Sequence, residues 1–121
     1  MMEQKKSGYK LYNKIIFFTK YSRTYILSSI PKVHSDIKIH FADELYSLTK
    51  NMFYATYNKG NIRIKYLVEA QVNLSMIDFL LTQIKDLNCI KIKNINSAIN
   101  LVAEIKNIIY GWKFNEEEKK K

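Results

Sequence analysis

The stretch NINSAINLVAEIKNIIYGWKF, residues 94–114, places Ile95, Ala98, Val102, Ile105, Ile109 and Trp112 at steps of three and four. Steps of that size put all six side chains on one face of an α-helix. A half-buried strand would alternate with a period of two, and this stretch does not. A fourth helix is therefore expected over 94–113, followed by a charged tail at 114–121.

Working outward from it, the preceding chain repeats the pattern three times. Residues 9–30 carry Leu11, Ile15, Phe18 and Tyr25 in helical register, until Pro31, which has no N–H and crowds the preceding turn. Ser35 or Asp36 can cap a second helix over 35–58, with the stripe Ile37, Phe41, Leu45, Leu48, Met52 and Ala55 and a break at Gly60. The third, over 62–87, runs through Tyr66, Ala70, Ile77, Leu81, Ile84 and Leu87 before the polar connector NCIKIKN. Four helices of about 30 Å joined by links of a few residues favour antiparallel neighbours. The expected fold is an all-α, up-down-up-down four-helix bundle, one domain across residues 1–121. Three glycines and one proline are too few for the tight turns of an all-β chain.

The lone Cys89 cannot close an internal disulfide, and the opening MMEQKKSGYK lacks the apolar core of a secretory signal. No apolar run approaches the roughly 18 residues of a membrane span. A cytoplasmic protein with no membrane partner is expected.

The formal charge is +9, placed mainly at the ends: residues 1–34 hold seven cations and one anion, and residues 88–121 hold seven and four. Excess lysine can reflect solubility or an AT-rich genome; it can also make a surface for polyanions. Phosphate contacts need flexible cations over a broad surface. Lys5, Lys6, Lys10, Lys14, Lys20 and Arg23 lie on or before the first helix, Lys32 follows it, and Arg63 and Lys65 open the third. Of these, Lys10, Lys14, Lys20, Arg23, Lys32, Arg63 and Lys65 are the candidate nucleic-acid contacts. No zinc finger, helix-turn-helix or aromatic RNA-binding signature accompanies them, so backbone affinity without base readout is expected.

Two helices carry a second apolar stripe. On the second it is Ile39, Tyr46, Phe53 and Tyr57; on the third it is Ile64, Val68, Val72 and Phe79. A monomeric bundle buries one stripe per helix, so these eight residues are the candidate interface of a homo-oligomer, unless the bundle wraps its helices more fully. The outer side of the first helix mixes Tyr9, Ile16 and Leu27 with Lys20 and Arg23.

Catalytic chemistry finds no constellation. His34 and His40 are six positions apart, on different helix faces or on either side of a cap, and no second carboxylate or cysteine completes a zinc site, so no metal is expected. Cys89 has no base motif beside it, and the adjacent Asp43 and Glu44 diverge by about 100° on a helix. The Glu-x-x-His pairs of a di-iron bundle are missing. No catalytic residues and no cofactors are assigned, and the chain is read as a non-enzyme. Trp112 is large enough to close the end of the bundle, with Gly111 leaving room for a neighbouring backbone; a partner-facing indole is the alternative. The tail EEEKKK offers Glu116–Lys120 and Glu117–Lys121 pairs for a solvated last turn.

SSIPK at the first corner, YLVEAQVNLSMIDFLLTQIKDLNCI on the third helix and INLVAEIKNIIYGWKF on the fourth together resemble the accessory variability determinant proteins of diversity-generating retroelements. The likeness covers roughly residues 9–114. It is sharpest at LLTQIKDLNCI and at Gly111-Trp112-Lys113, similar to the family's terminal Gly-Gly-Trp-Lys, with Tyr110 in place of the first glycine. The resemblance implies a basic homopentamer of four-helix bundles that binds RNA or DNA, associates with the element's reverse transcriptase and takes part, without catalysis, in mutagenic copying. The related four-helix proteins encoded by intervening sequences in 23S ribosomal RNA genes imply an alternative, a structural or interaction bundle. Their Ser-Ile-Pro-Ser-Asn-Ile-Ala-Glu-Gly signature has no counterpart in TKNMFYATYNKG, residues 49–60.

Overall fold

In a computed structural model the described residues are 2–119, with side chains from Ser7 onward. Four α-helices, α1 (Met2–Tyr25), α2 (Ser35–Thr56), α3 (Gly60–Asp86) and α4 (Ile92–Glu118), account for nearly all of them. Each packs on the next, and α1 also packs on α4, which closes an antiparallel up-down bundle with α3 diagonal to α1.

The core holds the expected stripes of α2 and α4. Phe41, Leu45, Leu48, Met52 and Ala55 are buried on α2, and all six residues from Ile95 to Trp112 are buried on α4. The other two helices correct the sequence reading. Tyr25 is half exposed, and the apolar end of that stripe is Ile26, Leu27 and Ile30, which fold inward. The α-helix stops at Tyr25, well before Pro31, and passes into a short 3₁₀ turn, Leu27–Ser29. Ser28 Oγ donates to the Thr24 carbonyl, 2.7 Å away, the oxygen that the Ser28 N–H would take in a continuing helix. On α3 Ala70, Ile77, Leu81 and Ile84 are buried as expected, but at the start of the stripe the core residue is Leu67, with Tyr66 only partly buried beside it. Asn88, in the left-handed region at φ 57°, turns the chain out of α3.

Between α2 and α3 the core admits polar groups. Asn51 Nδ2 donates to Asn73 Oδ1 at 2.7 Å, and Asn73 Nδ2 donates to Glu44 Oε1 at 2.9 Å. A buried amide ladder of this kind satisfies its members in one register and leaves them unpaired in a slipped one.

The bundle end near Trp112 is tied by an ion pair from two distant parts of the chain. Arg63 donates through Nε to the Ala55 carbonyl (2.7 Å) and through Nη2 to the Thr56 carbonyl (3.3 Å), so a cation covers the C-terminus of α2. Its Nη1 pairs with Glu116 Oε1 at 3.0 Å, and Glu116 Oε2 accepts the Gly60 N–H at 2.7 Å, which places a carboxylate on the N-terminus of α3. The Arg63 guanidinium lies 5.0 Å from the Trp112 ring centre. Residues 114–118, expected as a solvated tail, continue α4, and Glu116 is buried. Burial alone would raise the Glu116 carboxyl. The Gly60 N–H, the hydrogen bond and charge of Arg63, and the charge of Lys119 outweigh it and hold the group below its ordinary 4.5. Lys120 and Lys121, the expected partners of Glu116 and Glu117, lie outside the described residues.

Trp112 does close this end, but the glycine that makes room for it is Gly8. A β-carbon on Gly8 would meet the indole Cη2 at 3.4 Å, whereas one on Gly111 would meet nothing within 4 Å.

Candidate nucleic-acid interface

No carboxylate occurs between residues 4 and 35, a stretch that holds seven of the chain's cations. Folding lays most of that stretch along α1. Lys10, Lys20 and Arg23 are exposed there and Lys14 is half exposed. Lys32 is exposed in the turn before α2, near the bundle end opposite Trp112. The side chains of Lys5 and Lys6 lie outside the described residues.

Pairing decides which of these charges can meet a phosphate. Lys14 bridges to Glu104 of α4, with both side chains well exposed. An ion pair of that kind contributes about 0–1 kcal/mol, so a phosphate can replace Glu104 at little cost. Arg23 donates to the Tyr46 hydroxyl at 2.7 Å and lies 5.7 Å from its ring centre. That acceptor is neutral and leaves the guanidinium charge uncompensated.

Arg63 is a correction to the sequence reading. It is 4% exposed, and its donors face Ala55, Thr56 and Glu116. A phosphate cannot reach it without opening the end of the bundle. Lys65 is exposed but sits with α3, diagonal to α1, where its ammonium lies 5.2 Å from the Tyr66 ring centre. Tyr66 stacks on Tyr54 across the α2–α3 seam, 4.6 Å between centroids, with Lys50 6.0 Å from the Tyr54 ring. The seven candidates thus divide into an α1 group of Lys10, Lys14, Lys20 and Arg23, with Lys32 beyond its end, and two α3 residues that are not part of it.

The apolar candidates divide as well. Ile39, Tyr46, Phe53 and Tyr57 are exposed along α2, and Val68, Val72 and Phe79 are exposed along α3. Ile64 is only half exposed. The α2 stripe borders α1: Phe53 lies 6.0 Å from the Tyr12 ring and stacks with Tyr57 at 6.4 Å. Beside it a groove of about 280 Å³ between α1 and α2 is lined by Tyr12, Ile16, Lys20, Tyr46, Thr49 and Met52. Of the mixed contacts expected on α1, Tyr9 is exposed and Ile16 is half buried, while Leu27 is in the core.

Sequence reasoning missed Phe17, exposed between Lys14 and Lys20, and Lys38, which shares a depression with Arg23. The phase of the α1 stripe was the available signal for Phe17, since it adjoins Phe18 and must point away from the core.

Among the described residues no helix is long and apolar enough to cross a membrane, and no group of three His, Cys, Asp or Glu residues could hold a metal ion. No protein-family model, curated protein or solved structure matches the chain.

Proposed function

We propose that this chain is a nucleic-acid-binding four-helix bundle that assembles with copies of itself and takes phosphates along α1. The observation that carries the reading is the carboxylate-free run of residues 4–35, which folding turns into a face where Lys10, Lys20 and Arg23 point to solvent. Cations held this way release counterions when they meet a polyanion, which is the main source of sequence-independent affinity. Self-assembly is supported by the apolar residues that α2 and α3 leave uncovered.

The resemblance to accessory variability determinant proteins narrows the proposal. In that reading the chain is a non-catalytic partner of a reverse transcriptase in a diversity-generating retroelement, with a pentameric assembly. A reverse-transcriptase reading frame beside two near-identical repeats in the source genome is the expected neighbourhood, and a locus with neither removes this narrower assignment.

The broader proposal is tested by titrating RNA at several salt concentrations. Affinity should fall steeply, with about −0.7 per phosphate contact in the logarithmic slope for single strands and −0.9 for duplex DNA. A triple substitution of Lys10, Lys20 and Arg23 by glutamine should flatten that slope, and a salt-independent parent would overturn the proposal. Light scattering should find a species well above one chain, and a monomer at tens of micromolar would remove the assembly.

A further inference from the structure

We propose that the outward ridge of α1 is a track for an unpaired nucleic-acid strand, with Tyr9 and Phe17 as stacking platforms and Lys10, Lys14 and Lys20 as phosphate contacts. The inference rests on the nucleic-acid reading above and adds the class of strand. Tyr9, Lys10, Asn13, Lys14 and Phe17 line one shallow depression on the solvent side of α1. Tyr9 is 71% and Phe17 56% exposed, and neither belongs to the core or to a ring pair among the described residues. Elsewhere on α1 the rings are occupied: Phe18 is buried against Phe41, Tyr12 meets Phe53, and Tyr21 meets Tyr25.

The dimensions suit one strand. Eight residues of helix separate Tyr9 from Phe17, about 12 Å along the axis. Phosphates of a single strand in stacked geometry recur about every 3.4 Å, so the ridge faces three or four of them. Lysines beside each ring let the backbone run along the cations while a base turns onto the aromatic face. Base–aromatic stacking tolerates any sequence, because every base has a π-face. A duplex offers the same phosphates, but its bases are already stacked on each other. Tyr9 and Phe17 then have only hydrated backbone to touch, and the two rings contribute nothing. The charge is complementary over the whole ridge, since Glu104 is the one carboxylate within salt-bridge distance of its lysines among the described side chains.

The experiment compares the full chain with short labelled strands of uridine, of thymidine, and a duplex of equal length, at fixed salt. Both single strands should bind more tightly than the duplex. Phe17→Leu, which keeps apolar bulk and removes the ring, should weaken single-strand binding about tenfold, within the range of one base–aromatic stack, and leave duplex binding unchanged. Phe17→Tyr should restore the parent affinity. Both variants keep their exposed position, and circular dichroism confirms that they fold. Uridine and thymidine strands binding alike identifies the shared unpaired strand as the ligand. Duplex binding equal to single-strand binding, or Phe17→Leu binding single strands like the parent, overturns the stacking track even where salt-dependent binding persists. A change in assembly size in Phe17→Leu, without a change in strand affinity, assigns the ring to a protein contact and likewise overturns it. Binding of none of the three probes removes the nucleic-acid reading itself.

Discussion

The sealed end of the bundle and the outer ridge of α1 are made of the same two kinds of residue, a cation and an aromatic ring, arranged in opposite ways. At the sealed end Arg63 and Trp112 are both buried, and the guanidinium is shared among two carbonyls, a carboxylate and an indole face. On the ridge Lys10 and Lys20 stand in solvent beside Tyr9 and Phe17. Charge in the sequence says nothing about which arrangement a residue adopts. The deciding quantity is whether a complementary acceptor set lies close enough to replace its water.

The largest separation between the two regions should be in stability. Arg63→Ala or Glu116→Ala strands a buried charge and should cost about 3–5 kcal/mol in urea unfolding, whereas Lys10→Ala and Lys20→Ala should stay within about 0.5 kcal/mol. Replacing both buried partners by apolar residues of similar volume should recover much of the loss. If Arg63→Ala instead left stability intact and weakened RNA binding, the distinction between the regions would collapse.

The same pair gives the sealed end a pH dependence. Because the folded Glu116 carboxyl is held below its ordinary value, its contribution is complete above that value and is lost as pH falls through the lowered one. Glu116→Gln should therefore flatten the acid limb of the stability curve, measured by thermal unfolding between neutral and strongly acidic pH. An unchanged acid limb would mean that the pair is not closed in solution.

Smaller effects distinguish the glycines. Gly8→Leu drives a side chain against the indole and Thr56, and should cost about 1–3 kcal/mol. Gly111→Ala adds a methyl to open space within α4, and should stabilise by about 0.5–1 kcal/mol. Thermal unfolding of the two variants checks both signs, and a destabilised Gly111→Ala would show that something covers that face in solution.

The helices of the bundle were legible because their periodicity is local. On α4 all six residues of the quoted stretch's stripe are buried, since a regular helix carries a three-and-four spacing straight onto one face. Reading α3 was harder: Tyr66 and Leu67 are adjacent apolar positions, and the ring took the seam while the leucine took the core. The sealed end was illegible. Arg63, in the first turn of α3, looks like any surface cation, and its carboxylate lies 53 positions away in a segment that reads as a solvated tail. Gly111 drew attention as the neighbour of Trp112, but adjacent helical positions point about 100° apart, and the space was needed on the opposing helix, at Gly8. On α1 the cations were found and the platform Phe17 was not, because an exposed ring leaves no mark in a count of apolar residues.

Gly60 waits for Glu116 to cap its helix, and this orders the biosynthesis of the molecule. During vectorial synthesis α1, α2 and α3 leave the ribosome before the end of α4, and α2 and α3 can pair through their amide ladder with the start of α3 still satisfied by water. Only when Glu116 emerges can the arginine, the indole and the glycine near the beginning of α1 close on one another. A released chain truncated shortly before that residue should therefore be helical yet open to proteases at one end, and extension through it should bring resistance in a single step.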